Sequence, residues 1–391
     1  MKIKKIEDFD LFQKKVLLRV DYNVPLNEKG EIESFYRIKA SLETINFLSE
    51  RKAKIILISH LGRPQKLEEK ERKKLSLSIL KEPLEKILKR EVFFIKDCIG
   101  KRVEKKVKEL KEREILLLEN IRFYKEEKEN DKKFAEKLAK LGEIYINDAF
   151  SVSHREHASI VSLPKFLPHG IGKLFQKEID NLGKVFEKRP ILLIVGGIKT
   201  ESKIRFISDI LDKVDFILLG GKIAEEIMKG KGILVGRKES SPEIVEISKK
   251  LNLTDTKIQP PLDVKVSLVP LDLNYQRLTS IGNLRREEEI YDIGPDTIEF
   301  YSPFIEKAKT IVFVGPLGFF EKEEFSEGTR KIVEKIGENK EAFKVAGGGE
   351  TILFLEKYNL LNKFDFISTG GGALLSFLSG KKLPALEALE E

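Results

Sequence analysis

Apolar runs of strand length alternate with amphipathic stretches from one end of this 391-residue chain to the other, and no other feature constrains the fold as much. In the first half, residues 16–20, 55–58, 115–118 and 144–146 read as strands; in the second, 191–195, 216–219, 233–235, 311–314, 343–346 and 364–367 do. Between them, 39–51, 84–90, 132–141, 203–213 and 326–336 space their apolar residues as helices do. Strands that are apolar throughout are buried on both faces, which means parallel sheets covered by helices. The expected class is α/β, with two doubly wound parallel-sheet (Rossmann-like) domains, since the chain is long for one core and 41% hydrophobic residues suffice for two. Pro164, Pro168 and two glycines fall within 163–172, a helical pattern fills 173–188, and Pro190 ends it. The expected organisation is a domain over 1–170, a linking helix over 171–188, a second domain over 189–375 and a tail, 376–391, packing back on the first domain.

Open parallel sheets bind ligands at the carboxyl ends of their strands. In the first half those ends are basic and polar. The first strand leads into Arg19, Asp21 and Asn23; the second into Ser59, His60 and Arg63; the third into Glu119, Asn120 and Arg122; the fourth into Asn147 and Asp148, with His154, Arg155 and His157 shortly after. Any one of these is ordinarily a surface arginine or a core histidine. Four together suit a small, multiply anionic substrate, because guanidinium forks bond phosphate and carboxylate oxygens in pairs.

In the second half the strand ends carry glycine: Gly196-Gly197, Gly220-Gly221, Gly315-Pro316, Gly347-Gly348-Gly349 and Gly370-Gly371-Gly372. Side-chain-free residues before a helix let backbone N–H groups approach a phosphate, and each such loop alone is equally a tight turn. Lys199 and Lys203, four apart, share one face if a helix starts there. Glu350, directly after three glycines, makes sense beside a phosphate when a metal ion joins them. None of these loops matches the standard mononucleotide or dinucleotide glycine fingerprints. An anion-binding domain and a phosphate-loop domain on a helical hinge suggest phosphoryl transfer with domain closure.

Composition excludes some alternatives. The net charge of +8 permits nucleic-acid binding, but lysines alternate with glutamates through 101–140, as on solvated helix surface, and no aromatic-basic interleaving appears. No segment approaches the roughly 18 uninterrupted apolar residues of a membrane helix, and the start of the chain has no signal-peptide run, so a cytoplasmic protein without nucleic-acid or membrane partners is expected. The single cysteine, Cys98, reads as a small buried thiol. Charged residues at 35%, with no Trp and two Met, follow the thermophile trend.

Five segments in order, Arg19-Val-Asp-Tyr-Asn-Val-Pro25, Ser59-His-Leu-Gly-Arg-Pro64, Asn147-Asp-Ala-Phe150 with His154-Arg-Glu-His-Ala-Ser159, Gly347-Gly-Gly-Glu-Thr351 and Ser368-Thr-Gly-Gly-Gly-Ala373, resemble the phosphoglycerate kinase family over essentially the whole chain. The resemblance implies reversible phosphoryl transfer between 1,3-bisphosphoglycerate and Mg-ADP, giving 3-phosphoglycerate and Mg-ATP; a monomer whose partners are small-molecule substrates alone is the expectation. It implies that Asp21 and Asn23 contact the glycerate end, and that Arg37, His60, Arg63, Arg122 and Arg155 hold the non-transferring phosphate and carboxylate. On the nucleotide side it implies Gly197, Lys199, Gly221, Gly294, Pro316, Glu321 and Thr351, with Lys203 following the moving phosphoryl group. The amides of Gly347, Gly348, Gly349 and Gly371 would face that group, and Glu350 would hold Mg²⁺. Arg19 would either assist the developing charge as a mobile finger does or form a salt bridge that orders Asp21.

The sequence departs from the family pattern at three places. Glu350 stands where aspartate is usual, one methylene longer; Val314 replaces asparagine; and Lys222 replaces a small residue. All three fall on the nucleotide side. A binding protein without transfer and a nucleic-acid binder are the rival classes, separated from the enzyme by turnover with 3-phosphoglycerate and ATP and by salt-dependent oligonucleotide binding.

Overall fold

Strands β1 (Lys15–Arg19), β2 (Lys54–Ile58), β3 (Val92–Ile95), β4 (Ile115–Leu118), β5 (Ile144–Asn147) and β6 (His169–Ile171) form one sheet in the order β3-β4-β2-β1-β5-β6, every neighbouring pair parallel. The computed structural model describes residues 3–198, 200–233, 240–251 and 256–390. Val16, Leu17 and Leu18 of β1 and all of β4 are sealed from solvent, as a strand covered on both faces requires. The four strands whose ends carry arginine or histidine, β4, β2, β1 and β5, are neighbours at the centre of the sheet. The two edge strands, β3 and β6, escape the apolar-run reading: β3 is mostly half-buried, and β6 is three residues with a glycine at its middle.

The second sheet contains β7 (Ile191–Val195), β8 (Phe216–Leu219), β9 (Ile258–Gln259), β13 (Thr310–Val314), β14 (Phe343–Gly347) and β15 (Phe366–Ser368), in the order β15-β14-β13-β7-β8-β9, again wholly parallel. Five adjacent strands of six end in the glycine loops. Parallel sheets alone were the expectation; the fold adds a three-stranded antiparallel sheet, β10 (Asp263–Leu268), β11 (Arg277–Ser280) and β12 (Glu288–Ile293), in the order β11-β10-β12. These strands mix charged and apolar residues, because the small core of Val264, Val266 and Ile290 needs only part of each strand. Of the strand expected at 233–235, Ile233 is exposed outside any strand, and 234 and 235 lie outside the described residues.

The chain divides into two units, residues 1–180 with 381–391 and residues 181–380. In the first unit, the helix Lys173–Gly183 starts against side chains of that unit: Thr44 Oγ1 accepts from the Lys173 amide at 3.0 Å and Asp148 Oδ1 from the Phe175 amide at 3.1 Å. These satisfy amides that a helix start leaves without partners. The regular helix ends at Gly183 and a single 3₁₀ turn, Lys184–Phe186, follows, so the helical pattern of 173–188 is shorter than expected. At the far end of the chain, the helix Pro384–Leu389 buries Leu383, Ala385 and Leu389, and the Ala385 amide donates to the Ser153 carbonyl at 3.1 Å.

Candidate active site

In the first unit the central strand ends gather the side chains. Asp21, two residues beyond β1, is 5% exposed, and its Oδ2 accepts from Arg37 and from the Ser151 hydroxyl. Its Oδ1 accepts from the Asn23 amide at 3.0 Å and lies 3.9 Å from His60 Nε2. Asn23 Oδ1 accepts from the Gly62 amide at 2.8 Å, while Arg122 Nη1 donates to the Gly62 carbonyl at 2.9 Å. Gly62, at φ +63°, is thereby held from both sides in the left-handed backbone region that glycine tolerates. Arg63 and Arg155 are exposed, and the Arg155 charge helps depress the pKa values of Arg122, His154 and His157.

The cations crowd one another. Burial, then the charge of Arg19, lowers Arg122 to about 10, and its Nε is buried without a hydrogen bond. His60 is driven well below the usual histidine range by burial and then by Arg122, Arg19 and Arg37. His154 falls to about 4 and His157 to about 3, burial first in both, and the Nδ1 of each is buried without a hydrogen bond. These are electron-poor, donor-rich surroundings with polar atoms left unpaired, and they suit an anion with several oxygens.

Both sequence readings of Arg19 need correction. Its guanidinium has no exposed surface: Nε donates to Ser159 Oγ at 3.0 Å, Nη1 to the Val20 carbonyl and Nη2 to His60 Nδ1 at 3.1 Å. A side chain so held cannot serve as a mobile finger in this conformation. Nor does it order Asp21, whose ion pair among the described residues is with Arg37. Arg37 keeps some exposure, 16% of its side chain, and is the arginine in contact with Asp21.

Glu127 is the residue sequence reasoning missed. It falls inside the charged run taken as solvated surface, yet it is wholly buried in the four-residue helix Lys125–Lys128. Its Oε1 accepts from the Ser159 hydroxyl at 2.6 Å and its Oε2 from the Ser159 amide at 2.9 Å. Burial raises its pKa against the lowering pull of Arg19. A helix this short has no periodicity to read, so no sequence signal marked it. Cys98 is fully buried, with Sγ 2.9 Å from the Glu119 carbonyl, and burial pushes its thiol pKa up.

In the second unit the backbone does the gathering. Lys203, on the helix Thr200–Ile210 that follows β7, is 7% exposed, and its Nζ donates to the Gly196 carbonyl at 2.6 Å. Glu350 Oε2 is 3.4 Å from the same Nζ. A methyl group added at Gly197 would come within 2.4 Å of Lys203 Nζ and 2.5 Å of Glu350 Oε2; one at Gly315 would come within 2.5 Å of that Nζ. Three loops thus close on one ammonium. Gly315 donates its amide to Thr351 Oγ1 at 2.8 Å, which ties the β13 loop to the helix Gly349–Lys357. A methyl group at Gly349 or Gly371 would meet nothing within 4 Å, so beside these glycines the backbone has open space in front of it. Gly348, at φ +99°, sets the start of the helix whose first turn carries Glu350.

Other expected nucleotide residues are placed as follows. Gly220 and Gly221 open the helix Gly221–Gly230. The Pro316 carbonyl lies against Gly196, where a side chain would come within 2.1 Å of it. Gly294 precedes the helix Pro295–Lys307, but the Asp263 carboxylate already accepts from that helix's Asp296 and Thr297 amides, at 3.3 and 2.7 Å. Glu321 is exposed, and partial burial and the nearby Glu350 charge raise its pKa. Lys222 is engaged by Glu225 at 2.9 Å and Glu289 at 3.3 Å, which links the helix Gly221–Gly230 to β12. Val314 ends β13 as a buried strand residue whose carbonyl accepts from the Gly196 amide at 3.1 Å. Lys199 lies outside the described residues.

No group of three or more His, Cys, Asp or Glu able to hold a metal occurs among the described residues. One carboxylate, Glu350, at a helix start with open backbone beside it fits Mg²⁺, which commonly takes one or two carboxylates and completes its shell with water and substrate phosphate oxygens. No helix among the described residues is long and apolar enough to cross a membrane.

Comparison with known proteins gives the family. The family model of phosphoglycerate kinase matches residues 6–381. The phosphoglycerate kinase of Dictyoglomus turgidum is 40% identical over 392 residues, covering 99% of this chain and 98% of that protein. That of Aquifex aeolicus is 38% identical over 398 residues, covering 99% and 98%. The crystal structure of phosphoglycerate kinase from Pyrococcus horikoshii superposes with a TM-score of 0.87 at 33% identity, covering 98% of each chain. By family model, sequence and fold, the chain belongs to the phosphoglycerate kinase family, phosphotransferases of glycolysis whose acceptor is a carboxyl group.

Proposed function

We propose that this chain, as a cytoplasmic monomer, interconverts 1,3-bisphosphoglycerate and Mg-ADP with 3-phosphoglycerate and Mg-ATP, the first unit holding the glycerate substrate and the second the nucleotide. Arg37, Arg63, Arg122 and Arg155 bind its non-transferring phosphate and carboxylate, with Asp21 and Asn23 at the glycerate. His60 is a neutral donor and not a base, consistent with its depressed pKa. No base is required, because an acyl phosphate is already activated and the attacking ADP oxygen is already ionised.

The observation that carries the nucleotide half is the Lys203 ammonium held by the Gly196 carbonyl and crowded by Gly197, Gly315 and Glu350. Lys203 and the amides of Gly348, Gly349 and Gly371 stabilise the charge of the transferring group. Glu350 holds Mg²⁺, which when bound neutralises phosphate charge and orients the phosphate oxygens. Lys199 and Glu321 complete the nucleotide contacts.

The test is turnover with 3-phosphoglycerate and ATP by the wild type and Lys203→Ala. Losing one preorganised donor costs about 10²–10³-fold in kcat; a folded Lys203→Ala that keeps wild-type kcat removes Lys203 from the reaction.

A further inference from the structure

We propose that Glu127 is a positioning residue of the substrate site, holding Arg19 through Ser159 so that Arg19 keeps the proton of His60 on Nε2. The proposal rests on reading the first unit as the 3-phosphoglycerate site.

The argument is one of donors and acceptors. An ionised carboxylate only accepts, so the hydroxyl proton of Ser159, 2.6 Å from Glu127 Oε1, is committed to Glu127. The Ser159 oxygen then offers a lone pair to Arg19 Nε–H at 3.0 Å. Arginine only donates, so Arg19 Nη2, 3.1 Å from His60 Nδ1, requires that nitrogen to be an acceptor. In a neutral ring the proton must therefore sit on Nε2. Burial and the surrounding arginines keep the ring neutral. Nε2 makes no hydrogen bond to protein among the described residues; it lies 3.9 Å from Asp21 Oδ1, too far for one. An N–H donor is thus set beside Asp21 for an anionic ligand, its polarity fixed by Arg19, which Glu127 holds from three hydrogen bonds away.

Each link works in one direction only. Ser159 sits in a π-helical turn, Ala158–Ser162, whose backbone is held by the Glu127 carboxylate at the Ser159 amide and by Tyr145, whose hydroxyl donates to the Ser159 carbonyl. Glutamine at 127 would spoil one of the two contacts that hold Ser159 whichever way its amide turned. With its NH₂ toward the Ser159 amide, two donors face each other. With its NH₂ toward Ser159 Oγ, the hydroxyl proton is displaced toward the donor Arg19. The charge matters too, since Glu127 is the buried anion among Arg19, Arg122 and His157, whose Nδ1 is 3.7 Å from Glu127 Oε1.

The experiment uses the full chain labelled with ¹⁵N-histidine, of which there are four residues, with His60 assigned from a His60→Gln sample. Two-bond ¹⁵N–¹H correlation spectra of the ligand-free protein report the tautomer. Wild type should show His60 protonated at Nε2, and Glu127→Gln and Ser159→Ala should show a tautomer mixture. Kinetically, both variants should raise KM for 3-phosphoglycerate about tenfold with kcat and the KM for ATP little changed, and Glu127→Asp should recover part of the loss. Variants that melt like wild type yet keep the Nε2–H signature and the wild-type KM overturn the proposal. Should Glu127→Gln fail to fold, Ser159→Ala, which deletes only a hydroxyl, decides alone. If wild-type His60 signals do not respond to 3-phosphoglycerate, the site reading fails, while the ligand-free tautomer comparison still decides the relay.

Discussion

The two units arrange charge at their strand ends in opposite ways. In the first, basic and acidic side chains are buried against one another: Arg19, His60 and His157 are all less than 10% exposed, and Asp21 and Glu127 are buried with them. In the second, glycine loops bring backbone to the ligand site, and one buried lysine, Lys203, supplies the charge among them. The first design specifies its ligand through many side chains that must be correctly protonated. The second specifies it through backbone positions that must stay free of side chains. The two should therefore fail under different insults.

The sharpest blow falls on the backbone side. Gly197→Ala forces a side chain at φ +85° and puts its methyl where the Lys203 ammonium and Glu350 carboxylate lie. We expect kcat to fall about 10²-fold, close to the Lys203→Ala value, while the KM for 3-phosphoglycerate stays put. Steady-state rates with each substrate varied will show it, and an equal rise in both KM values would break the comparison. Next is Arg37→Lys, which keeps a cation against Asp21 but loses the planar fork. It should raise KM for 3-phosphoglycerate about tenfold and leave the KM for ATP alone, as the same assay measures.

Mild acid should tilt stability between the units. All four histidines lie in the first. His154 and His157 have folded pKa values of about 4 and 3 against 6.5 unfolded, so the unfolded chain binds more protons in between, and stability falls as pH drops from about 6.5. Asp148, in the same unit and raised to about 6, partly opposes this. The second unit has no histidine, and its buried Asp292, raised to about 7, takes up a proton in the fold first and stabilises as pH falls toward the unfolded carboxyl range. Hydrogen exchange at pH 7 and 5, corrected for intrinsic rate, should show protection lost in β1 and β2 before β7 and β13; equal loss would remove the contrast. The smallest effect is expected from Glu350→Asp. Shortening the carboxylate lengthens its contact with Lys203 and brings the usual family residue to the metal position, so Mg-ATP affinity should change a few-fold, about 1 kcal/mol or less, read by calorimetric titration in Mg²⁺ and Mn²⁺.

How much of this was legible in the sequence follows from how burial is encoded. Central strands such as β1, β2, β7 and β13 are apolar throughout because both faces are covered, so they announce themselves. Edge strands β3, β6 and β9 and the antiparallel sheet bury less of each strand, and they are short or charged; tertiary contacts, not local pattern, make them strands. In the first unit, Asp21, His60 and Arg122 stand out in the sequence because they follow strands within a few residues. Glu127 does not, since its neighbours Lys125, Glu126 and Lys128 hide it in a charged run. The same blindness made Arg19 look like a ligand-facing group, because position after a strand does not tell whether a guanidinium ends against the protein or beyond it.

The last dozen residues bear on how the chain acquires its site. Ala385 anchors the carbonyl of Ser153, next to His154 and Arg155, although the whole second unit, residues 181–380, intervenes in sequence, and Ile3 pairs with Glu390. During synthesis, 181–380 emerges as one contiguous piece and can close its own core before the terminal helix has left the ribosome. The first unit, in contrast, draws on residues that lie on both sides of the second unit in sequence.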